Sequence, residues 1–277
     1  MRTLKIHSIF GLIIAACLLL GTFSSCNNAN KAKKAKMDAE AKAAIQQEIR
    51  DYTYPLPSVF EVTNMLNKIE ARYIIDICND AKKSDSYFTE KQQAENLGIY
   101  TADLAYAITY NQKDQVKNYF KACEDLIQKL DFTAAFDRNL PDQIENNMDN
   151  KDSLVNIITK MVENTYSYLN QHGKQKISYL TLAGTAIEGL YLTTHISNNT
   201  FQNPEIIKAI LFQKEPLMKL QKMIEPLKKS EKVQDAYNGI EKINSIYALE
   251  EGNSSMTQKQ IEQLTKTVSD LRNEWIK

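Results

Sequence analysis

Residues 96–110 read NLGIYTADLAYAITY, and residues 181–195 read TLAGTAIEGLYLTTH. Set one above the other, they align with an offset of 85. Asp103 then falls on Glu188, Leu104 on Gly189, Tyr106 on Tyr191 and Tyr110 on His195. Neither stretch alternates apolar and polar residues as a half-buried strand does, and both are poor in charge. The comparison extends outward. VKNYFKACEDLIQKL (116–130) stands against IIKAILFQKEPLMKL (206–220), pairing Val116 with Ile206, Leu126 with Pro216, Lys129 with Lys219 and Leu130 with Leu220. Upstream, Ser58 pairs with Ser153 and Tyr73 with Tyr168. The chain therefore reads as two similar three-helix units, 57–130 and 152–225, followed by a closing hairpin at 229–277. One unit cannot cover its own apolar face; two can, either packed about a pseudo-twofold axis or stacked as in helical repeats.

Composition supports an all-α fold. Glycine (8) and proline (6) are scarce in 277 residues, too scarce for a fold built from many tight turns. Hydrophobic content of 43% suffices for a packed core, and residues 57–277 read as one all-helical domain. Lysine plus arginine equals aspartate plus glutamate at 34 each, so no net field draws the chain to nucleic acid.

The helices can be placed one by one. A charged, alanine-rich helix is expected over 37–51, and YPLPS (54–58) breaks it, because each proline biases the residue before it out of the α region. Ser58 with Glu61 forms a capping-box pattern. Val62, Leu66, Ile69, Tyr73 and Ile77 then predict one continuous helical face. Further helices are expected over 89–110 and 113–130, a loop over 131–150, and helices from Ser153 to a left-handed cap at Gly173 and over 175–196. Asn203 and Pro204 start the next helix, which should bend at Pro216. Of the last two helices, the final one has a near-heptad face: Ile261, Leu264, Val268, Leu271 and Trp275, with Thr257 and Gln260 capping its start.

The N-terminal region gives an address. MRTLKIHS carries Arg2 and Lys5 and no acid, and IFGLIIAACLLLG (9–21) is an uncharged apolar run shorter than the about 20 residues a spanning helix needs. The sequence FSSC follows at 23–26. It resembles the lipobox of bacterial lipoproteins, in which a large apolar and two small residues precede an obligatory cysteine. The resemblance implies that residues 1–25 are a lipoprotein signal peptide and that Cys26 is acylated and becomes the N-terminus. The polar stretch 26–56, with Lys31, Lys33, Lys34 and Lys36, is expected to be the tether together with the short helix. It is either a solvated spacer or a segment resting on anionic head groups. No aspartate follows Cys26, which by analogy with enterobacterial sorting points to the outer membrane. The lack of an acidic cluster there points to its periplasm-facing side. The expected attachment is thus to a membrane through the lipid on Cys26, with an envelope protein as possible partner and no nucleic acid.

The GxY…DLAY pattern (Gly98, Tyr100, Asp103–Tyr106) and the G…EGLY pattern (Gly184, Glu188–Tyr191) resemble an uncharacterised group of all-helical lipoproteins of Bacteroidota. The resemblance implies fold and address only.

Candidate chemistry centres on the two carboxylates. Each precedes a tyrosine by three residues, so carboxylate and phenol share a helical face. Tyr100, Asp103, Tyr106, Glu188, Tyr191 and His195 are candidates for a ligand-binding polar pocket between the units. Two facing carboxylates can also share a proton or a cation. The alternative is that the phenols satisfy the carboxylates and tie the helices together. No metal site or cofactor is expected, and no GxSxG, HExxH or phosphate loop occurs, so a non-enzymatic role is expected. After signal removal Cys78 and Cys123 are the one pair available for a disulfide, and the oxidising periplasm permits one. The functional expectation is a helical scaffold or protein-interaction module, with a small-ligand-binding lipoprotein as the alternative.

Overall fold

The computed structural model describes residues 59–197, 200–248 and 255–277, all within one compact unit. The expected signal peptide, Cys26, the expected tether with the helix anticipated at 37–51, and the expected Ser58 cap all fall outside the described residues. Among the described residues there are ten α-helices and no strand. They are α1 (Val59–Lys68), α2 (Glu90–Thr109), α3 (Lys113–Lys129), α4 (Leu140–Asn146), α5 (Lys151–Gln171), α6 (Gln175–His195), α7 (Pro204–Phe212), α8 (Lys214–Ile224), α9 (Glu231–Ala248) and α10 (Gln258–Trp275). None of them is long and apolar enough to cross a membrane.

The aligned stretches 96–110 and 181–195 form the centre of the bundle. α2 and α6 make the most extensive helix–helix contact in the fold. Every residue of α2 from Gln93 to Thr109 is buried. A helix without a polar face is stable only when covered on all sides. α1, α3 and α5 cover α2, while α1, α5, α7, α8, α9 and α10 cover α6. The two central helices run in the same direction along their contact: Gly98 meets Gly184, and further on Asp103 lies against Glu188. At the crossing the backbones touch. A Cβ on Gly98 would lie 2.0 Å from the Thr181 carbonyl oxygen, and one on Gly184 would lie 2.0 Å from that of Glu95. The absence of a side chain at both positions is what permits this approach. The Thr185 hydroxyl donates across it to the Gly98 carbonyl at 3.1 Å.

Flanking elements differ from the expectation in three places. The first helix does not continue to Ile77. α1 ends at Lys68, and Glu70 takes the left-handed conformation (φ 57°). Its N–H donates to Asn67 O and that of Ala71 to Leu66 O, the two bonds of a Schellman cap. α2, α3 and α5 end in the same two bonds, with Asn111, Asp131 and Gly173 in the left-handed position. Only the last of these carries the glycine that marks such a stop in sequence. After α1 the chain runs irregularly from Glu70 to Tyr87, with short 3₁₀ turns at Ile75–Ile77 and Ala81–Ser86. Tyr73 and Ile77 therefore belong to this strap and not to a helical face.

The second difference is α4, which lies inside the expected loop 131–150. Leu140 and Ile144, one turn apart, fix it to the core. The third is at Pro216. The helix does not bend there; it breaks at Gln213, because proline offers no N–H to the carbonyl four residues back. Side chains add bonds at the end of α7: Gln213 Nε2 donates to Ala209 O at 3.0 Å, and Ile210 O accepts both the Gln213 N–H at 3.1 Å and Tyr247 OH at 2.8 Å. The second unit is thus no replica of the first in shape, with 21 residues in α5 against 10 in α1 and two helices where α3 is one. The C-terminal helix follows its heptad: Ile261, Leu264, Val268, Leu271 and Trp275 are all buried, and Thr257 and Gln260 form the capping box.

Candidate functional site: a buried carboxylate pair under one guanidinium

Asp103 and Glu188 are both completely buried. A carboxylate removed from water needs a partner. For Glu188 that partner is Arg272 of α10, itself only 4% exposed. Arg272 Nε donates to Glu188 Oε2 at 2.6 Å and Nη2 to Oε1 at 2.8 Å, a bidentate pair. The same Nη2 donates to the Ile77 carbonyl at 3.0 Å, which ties the strap to α10. The guanidinium also lies over the Tyr191 ring, 4.0 Å from its centroid. Tyr191 in turn stacks on His195, ring centroids 3.9 Å apart. His195 Nδ1 sits 2.8 Å from the Tyr191 carbonyl and Nε2 3.2 Å from Ser269 Oγ of α10. Burial, followed by the charge of Arg272, holds the His195 pKa below its ordinary value.

Asp103 is differently served. Its Oδ2 accepts the backbone N–H of Asn79 at 3.1 Å; no protein donor reaches Oδ1, and the carboxyl lies within hydrogen-bonding reach of Glu188, so a proton on Asp103 can be shared between the two. Burial first, and then the charge of Glu188, push its pKa well above the usual carboxylate range. Arg272 and the Asn79 amide oppose this without cancelling it. The centre thus holds two carboxyl groups and one cation, and its charge balances when Asp103 keeps its proton.

One face of α2 is given over to the strap. Asn96, Tyr100, Asp103 and Tyr106 recur at helical spacing. Asn96 Oδ1 accepts from Asn79 Nδ2 at 3.2 Å, and Tyr100 OH donates to Asp80 O at 2.9 Å. Tyr106 OH accepts from Ile74 N–H at 3.0 Å and donates to Arg72 O at 3.3 Å. A segment with no regular ladder of its own has its backbone groups bonded by side chains of the neighbouring helix.

The structure therefore brings Asp103, Glu188, Tyr191 and His195 together around Arg272. It does not bring Tyr100 or the hydroxyl of Tyr106 to the carboxylates, and neither expected carboxylate–phenol bond is made. Cys78 and Cys123 are free thiols, so the expected option of a bridge between them is not realised. Cys78 lies in the strap and not in a helix, with Sγ 3.9 Å from the Ile74 carbonyl, and Cys123 is wholly buried in α3. Burial pushes both thiols up, Cys123 to about 12. A thiol so placed is a poor nucleophile. Among the described residues no group of three histidine, cysteine or acidic side chains is placed to hold a metal ion.

Sequence reasoning missed Arg272 and Asn79. Arg272 follows Val268 by four and precedes Trp275 by three, so a cation stood on the apolar face of α10 in plain view. The strap gave no such signal. Among the described residues, grooves also lie at the surface away from this centre. One, of about 30 Å³, is lined by Val59, Leu182, Gly189 and Pro216 among others. The larger, of about 400 Å³, lies between the start of α6 and the end of α8. Neither is lined by Asp103 or Glu188. No protein-family model, no curated protein and no solved structure matches this chain.

Proposed function

We propose that the protein is an envelope lipoprotein, anchored through Cys26 on the periplasm-facing side of an outer membrane, whose helical body is a protein-interaction module and not an enzyme. The FSSC stretch at 23–26 and the apolar run before it support the anchor. A diacylated cysteine holds a protein at a bilayer because each buried CH₂ contributes about 0.8 kcal/mol.

One observation carries the choice of a module over a ligand-binding protein. Tyr100, Asp103, Tyr106 and Glu188 are completely buried, and each is bonded to the strap or to α10. The polar centre is occupied with holding the fold, which leaves the exterior for recognition. Metabolic labelling with an alkyne fatty acid tests the anchor. The wild-type chain takes up label and stays with membranes, while Cys26→Ala takes up none and becomes soluble. Unlabelled wild type, or a variant that keeps its label, refutes the anchor. Photocrosslinking in the intact envelope tests the module, which requires one discrete adduct; free protein alone refutes it.

A further inference from the structure

We propose that the outward face of α8, together with the groove at its C-terminal end, docks on an anionic lipid surface. The inference rests on the lipid-anchored reading above, and adds which side of the molecule meets the bilayer.

Charge is the first argument. The whole chain is neutral, but residues 214–232 carry six lysines against three glutamates. Lys228 and Lys232 are tied to Glu225 and Glu90. Lys219, Lys222 and Lys229 are exposed and have no ion pair among the described residues. The second argument is exposed apolar area on and beside this helix. Met218 of α8 is 42% exposed, and Phe212, the last residue of α7, 44%. Met218 and Lys222 are one turn apart on the outer face of α8, while Leu217, Leu220 and Ile224 point inward.

At the C-terminal end of α8 lies the groove of about 400 Å³, walled by Met223, Pro226 and Leu227 on one side and by Lys176, Ile177 and Tyr179 on the other. The apolar face of α8 is spent on the core, so what the outward face offers a bilayer is charge: lysines without an ion pair among the described residues, beside one exposed methionine, each lysine drawn to an anionic surface. Proximity is the third argument. Cys26 stands only 33 residues before Val59, so a lipid on Cys26 keeps the body within about 120 Å of its own bilayer even at full extension of the chain.

Amine footprinting of the natively acylated full chain tests this, in vesicles of phosphatidylcholine alone and of phosphatidylcholine mixed with phosphatidylglycerol. Lys160 and Lys266, off this face, serve as internal standards. In anionic vesicles the modification of Lys219, Lys222 and Lys229 falls by roughly fivefold or more relative to the standards, and high salt restores it. In phosphatidylcholine it does not fall. Met218→Glu with Lys222→Glu abolishes the protection of Lys219 and Lys229. Equal modification in the two vesicle types, or protection that survives the double variant, overturns the proposal. The same protein merely mixed with vesicles separates the two readings. Protection without stable incorporation refutes the anchor and keeps the face, while incorporation without protection refutes the face.

Discussion

Asp103 on α2 and Glu188 on α6 lie side by side in the core, at matched places in two parallel helices, yet only one of them has a cation. Glu188 is gripped in two bonds by Arg272; Asp103 accepts a single backbone N–H from Asn79, and its other contact is with the carboxylate of Glu188 itself. The difference follows from what each helix faces. α6 faces α10, a regular helix that can aim a long side chain inward. α2 faces the strap, whose unpaired backbone needs acceptors and donors more than it needs charge. Two carboxyl groups at aligned positions of two similar stretches are thus put to different uses: one closes the bundle, the other fastens a loop.

The harshest way to break the comparison is to remove the cation. Arg272→Met leaves Glu188 buried without its partner and releases the Ile77 carbonyl. Loss of one member of a buried pair costs about 3–5 kcal/mol. Urea unfolding reads this as a fall in midpoint at unchanged slope. Replacing both members, Glu188→Leu with Arg272→Met, recovers most of it, because a buried pair contributes little over well-packed apolar groups. If the double variant is no better than the single one, Glu188 is not the group that Arg272 neutralises.

The second way is to force the helices apart. Gly184→Ala and Gly98→Ala each drive a Cβ into a backbone carbonyl that cannot turn aside. Overpacking against such a wall costs about 3 kcal/mol, beyond the gain in helix propensity. Gly189 is the control. Its Cβ would meet only the flexible end of Gln213 at 3.2 Å, so Gly189→Ala is expected to change stability by under about 1 kcal/mol. Thermal unfolding of the three variants side by side gives the ranking.

The third sharpens the contrast between the carboxyl groups themselves. Asp103 has a folded pKa raised above its ordinary 3.8. Its contribution is therefore fully present below that value and is lost as pH rises toward the folded one, at up to about 1.4 kcal/mol per pH unit. Asp103→Asn keeps the shape, cannot ionise and removes this slope. The variant should match or exceed wild type above neutral pH and show a smaller decline from acid toward alkaline conditions. Glu95, pushed to about 8 by burial, has the same sign and is present in both proteins, so the difference curve isolates Asp103. Parallel curves would mean that Asp103 is ionised in the fold.

What was legible in the sequence divides along the same line. The heptad of α10 and the charge-poor stretches of α2 and α6 are local periodicities, and a local period survives in one dimension. The carboxylates stood out because each broke its own local pattern. Their partners did not, since which residue meets Glu188 depends on a contact 84 positions away. The expected phenol partners failed for a related reason: i,i+3 spacing puts Tyr106 on the face of Asp103, but that face was already needed by the strap. α4 was lost because seven residues hold too few turns to show a period. The strap was lost because its start lacks a glycine.

That last miss supplies the mildest test. Glu70 stands where Gly173 stands at the end of α5, in the same left-handed position with the same two bonds, φ 57° against 71°. A side chain in this region carries a steric cost of about 1 kcal/mol that glycine avoids. Glycine loses part of that gain by freeing the unfolded chain. Glu70→Gly should therefore stabilise by up to about 1 kcal/mol, and Gly173→Ala should destabilise by about the same. If Glu70→Gly instead lowers stability, Glu70 makes a contribution beyond its backbone, and the strap begins with a side chain that matters as well as with a turn.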